Sequence, residues 1–123
     1  MEEIFNNYVA DAIDHIPKMY KEKMQHVAIL VMDEPSEEQR LKLGMRRCDA
    51  LFGLYEGIPL PKRGGNMLQI PPDVITIFRH PMIDIFTEPT ALKKQIYETL
   101  WHEVAHFFGL NHSQIHKAKT QKK

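Results

Sequence analysis

Two histidines four residues apart, with a glutamate beside the first, can build a hydrolytic metal site. The chain carries such a set near its end: His102, Glu103, His106, Gly109 and His112, in the pattern H-E-x-x-H-x-x-G-x-x-H. On a helix, side chains four apart lie one turn apart on nearly one face, so His102 and His106 can aim two imidazoles at one point. Glu103 is about 100° further round and can reach that point from the side, as a proton acceptor rather than a ligand. Gly109 can take the left-handed conformation that ends a helix, which lets the chain turn back and bring His112 in as a third ligand. Three protein ligands with a fourth position open describe a catalytic zinc site (Zn2+) rather than a closed structural one. At the chain's own His, Glu and Gly frequencies, H-E-x-x-H arises in roughly 3% of shuffled chains and the full pattern in about one in ten thousand, so coincidence is a poor account.

These residues need a helix to carry them and a sheet to face. The start cluster Thr87-Glu88-Pro89-Thr90 offers a capping hydroxyl and a proline that the first turn tolerates. From there a helix is predicted to run unbroken to Phe108, with Leu92, Ile96, Leu100, Val104 and Phe107 as its apolar stripe. His102, Glu103 and His106 lie beside that stripe, at the edge of the core, over a groove floored by the sheet. Residues 26–32 are a β-branched and aliphatic run closed by Asp33-Glu34-Pro35, and read as a central strand buried on both faces. Residues 74–79 alternate as a second strand that ends at Pro81, and 67–70 read as a further short one. Residues 51–61 are rich in Gly and Pro and read as short extended pieces and turns before an exposed loop at 62–66. Upstream, 2–16 form an amphipathic helix stopped near Pro17, with His15 at its C-terminal end. A charged connector spans 18–25, and a short helix capped by Ser36 follows within 36–47.

Composition narrows the class. Sixteen basic and sixteen acidic side chains leave no net charge, which removes the bulk electrostatic case for a nucleic-acid partner. The acidic N-terminus does not read as a signal peptide, and no apolar run approaches a membrane span. The single cysteine, Cys48, excludes an internal disulfide framework and reads as a plain, partly buried thiol. The expectation is one soluble, cytoplasmic α+β domain over residues 1–123, with 113–123 as a basic tail.

Beyond the histidine motif, several segments are distinctive: Asp33-Glu34-Pro35, L-F-G-L-Y-E-G-I-P-L-P-K-R from Leu51, P-D-V-I-T-I-F-R-H-P from Pro72, and H-E-V-A-H-F-F-G-L from His102. Together they resemble the small bacterial minimal metalloproteases, a zincin-like metallopeptidase family, over most of the chain. The resemblance implies a compact zincin-like domain, a small mixed sheet with a long C-terminal metal-binding helix. It also implies zinc, peptidase activity on a peptide or protein substrate, His102 and His106 as ligands and Glu103 as base. The third ligand is His112 or an acidic group. The spacing to His112 matches the metzincins, but the 11 residues after it hold no methionine for the turn those enzymes place beneath the metal.

The mechanism expected is attack by a zinc-bound water whose pKa falls to about 7. Glu103 takes its proton and returns it to the leaving amine. A polypeptide would add as a strand along an exposed sheet edge, with residues 74–79 as the expected edge. Tyr55, Arg79, His80 and Tyr97 are candidate supporting groups, and Glu98, one turn before His102, can orient it or replace His112. Two alternatives stand beside the peptidase. One is a non-catalytic, zinc-stabilised peptide-binding module, which has no need of Glu103 as a base. The other is a YbeY-like metal-dependent endoribonuclease, a group that carries Gly rather than Glu after the first His.

Overall fold

The computed structural model describes residues 2–46, 50–62 and 72–110. His112, Cys48, the short strand expected at 67–70 and the basic tail lie outside the described residues. The chain opens with helix α1 (Glu2–Asp14), short helix α2 (Lys18–Glu22) and strand β1 (Val27–Met32). Helix α3 (Glu37–Lys42) and strand β2 (Gly53–Glu56) follow, then a 3-10 turn over Leu60–Lys62, strand β3 (Asp73–Phe78), helix α4 (Arg79–Ile85) and the long helix α5 (Pro89–Phe108).

The sheet has the order β1-β3-β2. β1 pairs parallel to β3 from Val27↔Asp73 to Met32↔Phe78. β2 pairs antiparallel to it from Gly53↔Ile77 to Glu56↔Val74. The sheet is therefore mixed, and the fold is α+β as expected. The position of β1 corrects the sequence reading. Among the described residues it is an edge strand, and its residues alternate between half-buried and exposed, with Leu30 and Met32 on the open face. A continuous apolar run looks the same in a strand covered on one face as on two. β3 is the central strand, and Ile75, Thr76, Ile77 and Phe78 are all buried.

α5 packs across β2 and β3 and along α1. Phe5, Val9, Ala12 and Ile16 meet Leu92, Ile96, Leu100, Trp101 and Val104 in one core with Ile75 and Ile77. Each large side chain buried there contributes about 1.5–3 kcal/mol, enough to hold α5 as a rigid beam.

Local signals explain most boundaries. Ser36 caps α3 through a reciprocal pair: its hydroxyl accepts from the Gln39 N–H, and the Gln39 side chain accepts from the Ser36 N–H. His15 donates from Nδ1 to the Asp11 carbonyl at 2.7 Å, at the end of α1. α5 begins with Pro89 in its first turn, but its N-cap is Glu88 and no side chain caps it, so the expected hydroxyl cap is absent. α4 was not expected after β3. Pro81 is its third residue, where no intrahelical N–H bond is required, so the proline starts a helix here instead of only ending a strand.

Candidate active site

α5 ends where Gly109 adopts φ 69° and ψ 29°, a left-handed conformation that costs a residue with a Cβ. The Gly109 N–H donates to the His106 carbonyl and the Leu110 N–H to the Ala105 carbonyl, closing the last turn. Gly109 has a second reason to lack a side chain: a Cβ there would lie 2.7 Å from Pro61 Cγ. The 3-10 turn is thereby seated against the end of the helix.

One turn earlier, the His102 and His106 rings lie 4.6 Å apart, edge to face. One ligand atom from each of His102, Glu103 and His106 can be chosen so that all lie within 4.8 Å of one another. His102 is half-buried and His106 exposed, while Glu103 is only 7% exposed. His106 Nδ1 lies 3.1 Å from Glu103 Oε1. If Nδ1 donates there, the Nε2 lone pair is left for a metal. Burial pushes the Glu103 carboxyl above the ordinary glutamate range, against the opposing pull of His102 and of the Tyr55 backbone N–H. The result is a carboxylate more basic than a solvated one, fixed beside two imidazoles. The donor set, two imidazoles and a carboxylate gathered within 4.8 Å, suits a divalent ion.

The cleft beside this group is about 580 Å³, walled by residues 51–54 on one side and by α5 from Gln95 to His106 on the other. Its geometry depends on Gly53. A Cβ at that position would sit 2.6 Å from Thr99 Cγ2, 3.3 Å from Glu103 Cγ and 3.3 Å from the Thr76 carbonyl. Only a residue without a side chain lets α5 approach β2 this closely. Neither Gly53 nor Thr99 was singled out from the sequence. The available signal was a glycine inside an otherwise apolar, aromatic stretch, L-F-G-L-Y, which marks close backbone approach.

Pairing parity explains why Tyr55 meets Glu103. The Phe78 N–H donates to the Phe52 carbonyl at 2.8 Å. Hydrogen-bonded pairs alternate along an antiparallel ladder, so Leu54 and Glu56 also face β3, and Gly53 and Tyr55 turn their backbone groups away from it, to the outer edge of β2. The Tyr55 ring packs on Phe107 at 5.9 Å, and its hydroxyl donates to Asp73 Oδ1 at 2.6 Å.

The other supporting candidates separate. Glu98 lines the cleft. Arg79 and His80 both face Asp33: the Arg79 guanidinium donates through Nε at 2.9 Å and again through Nη2, and His80 Nε2 is 3.8 Å away. Neither residue lines the cleft. Tyr97 lines a different surface recess, with Tyr8 and Lys93.

A profile of the zincin-like metallopeptidases matches residues 24–121. The chain belongs to that family. No curated protein matches it. Among the described residues, no helix is long and apolar enough to cross a membrane.

Proposed function

We propose that the chain is a zinc-dependent peptidase in which Glu103 is the general base and His102 and His106 hold the metal. His112, outside the described residues, is the proposed third ligand. The observation that carries this reading is the buried Glu103 carboxylate, 3.1 Å from His106 and opening on the β2 cleft. A purely structural metal site gains nothing from an acid held dry beside its ligands, because burial of an ionised group is costly.

When bound, the metal would supply Lewis acidity to a carbonyl oxygen and lower the pKa of water, to about 7 for zinc. Glu103 takes a proton from the attacking water as the new C–O bond forms. It then delivers that proton to the amide nitrogen as the C–N bond breaks.

The substrate strand expected along β3 has no free edge there, because β1 and β2 occupy both sides. The outer edge of β2, with the outward backbone groups of Gly53, takes that role. An unstructured polypeptide added antiparallel to β2 runs over His102 and His106 and gains main-chain hydrogen bonds independent of its side chains.

Zinc analysis and casein hydrolysis test the proposal together. About one zinc per chain is expected, falling sharply in His106→Ala. Glu103→Gln is expected to keep the metal and lose hydrolysis. A folded protein that takes up no zinc sinks the metal assignment. Equal hydrolysis by wild type and Glu103→Gln sinks the assignment of the base.

A further inference from the structure

The β2 cleft is chemically lopsided. Leu43, Leu51 and Leu54 form apolar walls, while Gln95, Glu98 and Thr99 line it from α5. Gln95 Nε2 donates to Thr99 Oγ1 at 2.9 Å, which leaves its amide oxygen as an acceptor. Glu98 is half-buried one turn before His102 and has no hydrogen-bond or ion-pair partner among the described residues. The polar part of the cleft thus presents a carboxylate and an amide oxygen, with no lysine or arginine among the described residues that line it. An ammonium or guanidinium group is donor-only and complements such a set. Its aliphatic stem can lie along the leucines while the charged head reaches the acceptors. Among the described residues, the group of donor atoms within 4.8 Å of one another is His102, Glu103 and His106, and Glu98 stands outside it.

Resting on the peptidase reading, we propose that this cleft is a specificity pocket for lysine or arginine and that Glu98 selects the basic side chain. Direction follows from topology. β2 runs from Gly53, in this cleft, toward Tyr55 and Gly57, which line a second recess of about 490 Å³ on the far side of His106. A strand added antiparallel to β2 has its C-terminal part over the first cleft. The basic residue is therefore the one following the bond that is cut.

The test uses the full-length, zinc-loaded chain and peptides that differ at one position, carrying Lys, Arg, Leu or Glu there. Binding is read by fluorescence anisotropy on Glu103→Gln, and cut sites by mass spectrometry on the wild type. Lys and Arg peptides are expected to bind about tenfold more tightly than the Leu peptide, the size of one charge-assisted hydrogen bond. Adding Glu98→Gln is expected to erase that advantage, and Glu98→Lys to shift preference to the Glu peptide, both with unchanged zinc content. Equal affinities, no binding of any peptide, or a basic preference that survives Glu98→Gln overturn the proposal. Zinc loss from a folded Glu98→Gln would make Glu98 a ligand and overturn it too. Basic preference without cleavage by the wild type defeats the peptidase reading alone; cleavage without basic preference defeats this inference alone.

Discussion

Gly53→Ala is the sharpest test of how the cleft is built. The added methyl would meet Thr99 Cγ2 at 2.6 Å. Carbon atoms pack best at about 3.5–4.0 Å, so the overlap is about 1 Å. Thr99 is buried, β-branched and held on α5, and Glu103 Cγ and the Thr76 carbonyl crowd the same point at 3.3 Å. A rotamer change gives little relief, so β2 and α5 must separate. Overpacking of this kind costs about 1–3 kcal/mol. The same separation carries Glu103 away from its position, and a misplacement of about 1 Å lowers turnover roughly 100-fold. Urea denaturation and kcat/KM on casein-derived peptides, on equally zinc-loaded proteins, read both effects. Thr99→Ser removes the clashing Cγ2 and keeps the hydroxyl that accepts from Gln95. The double variant Gly53→Ala/Thr99→Ser should therefore recover a large part of both losses, as contacting residues couple. Gly44→Ala is the comparison. A Cβ there meets nothing within 4 Å but sits at φ +64°, so it should cost about 1 kcal/mol of stability through backbone strain and little activity. Unchanged stability and kcat/KM in Gly53→Ala, or no recovery with Thr99→Ser, refutes the packing argument.

Three further outcomes are expected. Burial holds the Glu103 pKa above its usual range, so the folded state binds this proton more tightly than the unfolded state. Glu103's contribution is favourable below the unfolded pKa and is lost as pH rises through the folded one; Glu103→Gln should thus raise the thermal midpoint of metal-free protein at neutral pH, and an unchanged or lower midpoint contradicts this. The Arg79 hydrogen bond, aided by the Arg79 and His80 charges and opposed by desolvation, holds Asp33 below its ordinary pKa. Asp33→Asn should therefore destabilise at neutral pH, with the gap from wild type closing as acid titration passes the depressed pKa; a pH-independent gap would assign the loss to packing. Tyr55→Phe removes the 2.6 Å bond to the buried Asp73 carboxylate and should cost about 1–3 kcal/mol in urea denaturation, while the backbone donor to Glu103 stays and zinc content is unchanged.

Local chemistry was legible where neighbours in the chain settle it. Pro89 and Gly109 bracket α5 through a missing N–H and a left-handed turn. Ser36 and Gln39 announce α3 by a capping pattern contained within four residues. α4 escaped notice because Pro81 serves the end of a strand and the first turn of a helix equally well; the helix that follows buries Met82.

The spacing of His102, Glu103 and His106 is a property of the sequence alone, because helical periodicity translates it into one face without help from the rest of the chain. Which strand is central, which edge is free, and how dry Glu103 becomes were decided only by the tertiary structure. Apolar runs such as 27–32 and 73–78 carry no mark of their order in a sheet; that order comes from pairing between segments far apart in sequence. The basicity of Glu103 arises from burial in the folded chain. Gly53 matters because α5 returns, after β3 and α4, to lie on it. The reason is physical: spacing is covalent and local, whereas burial and close approach are free-energy outcomes of the whole core.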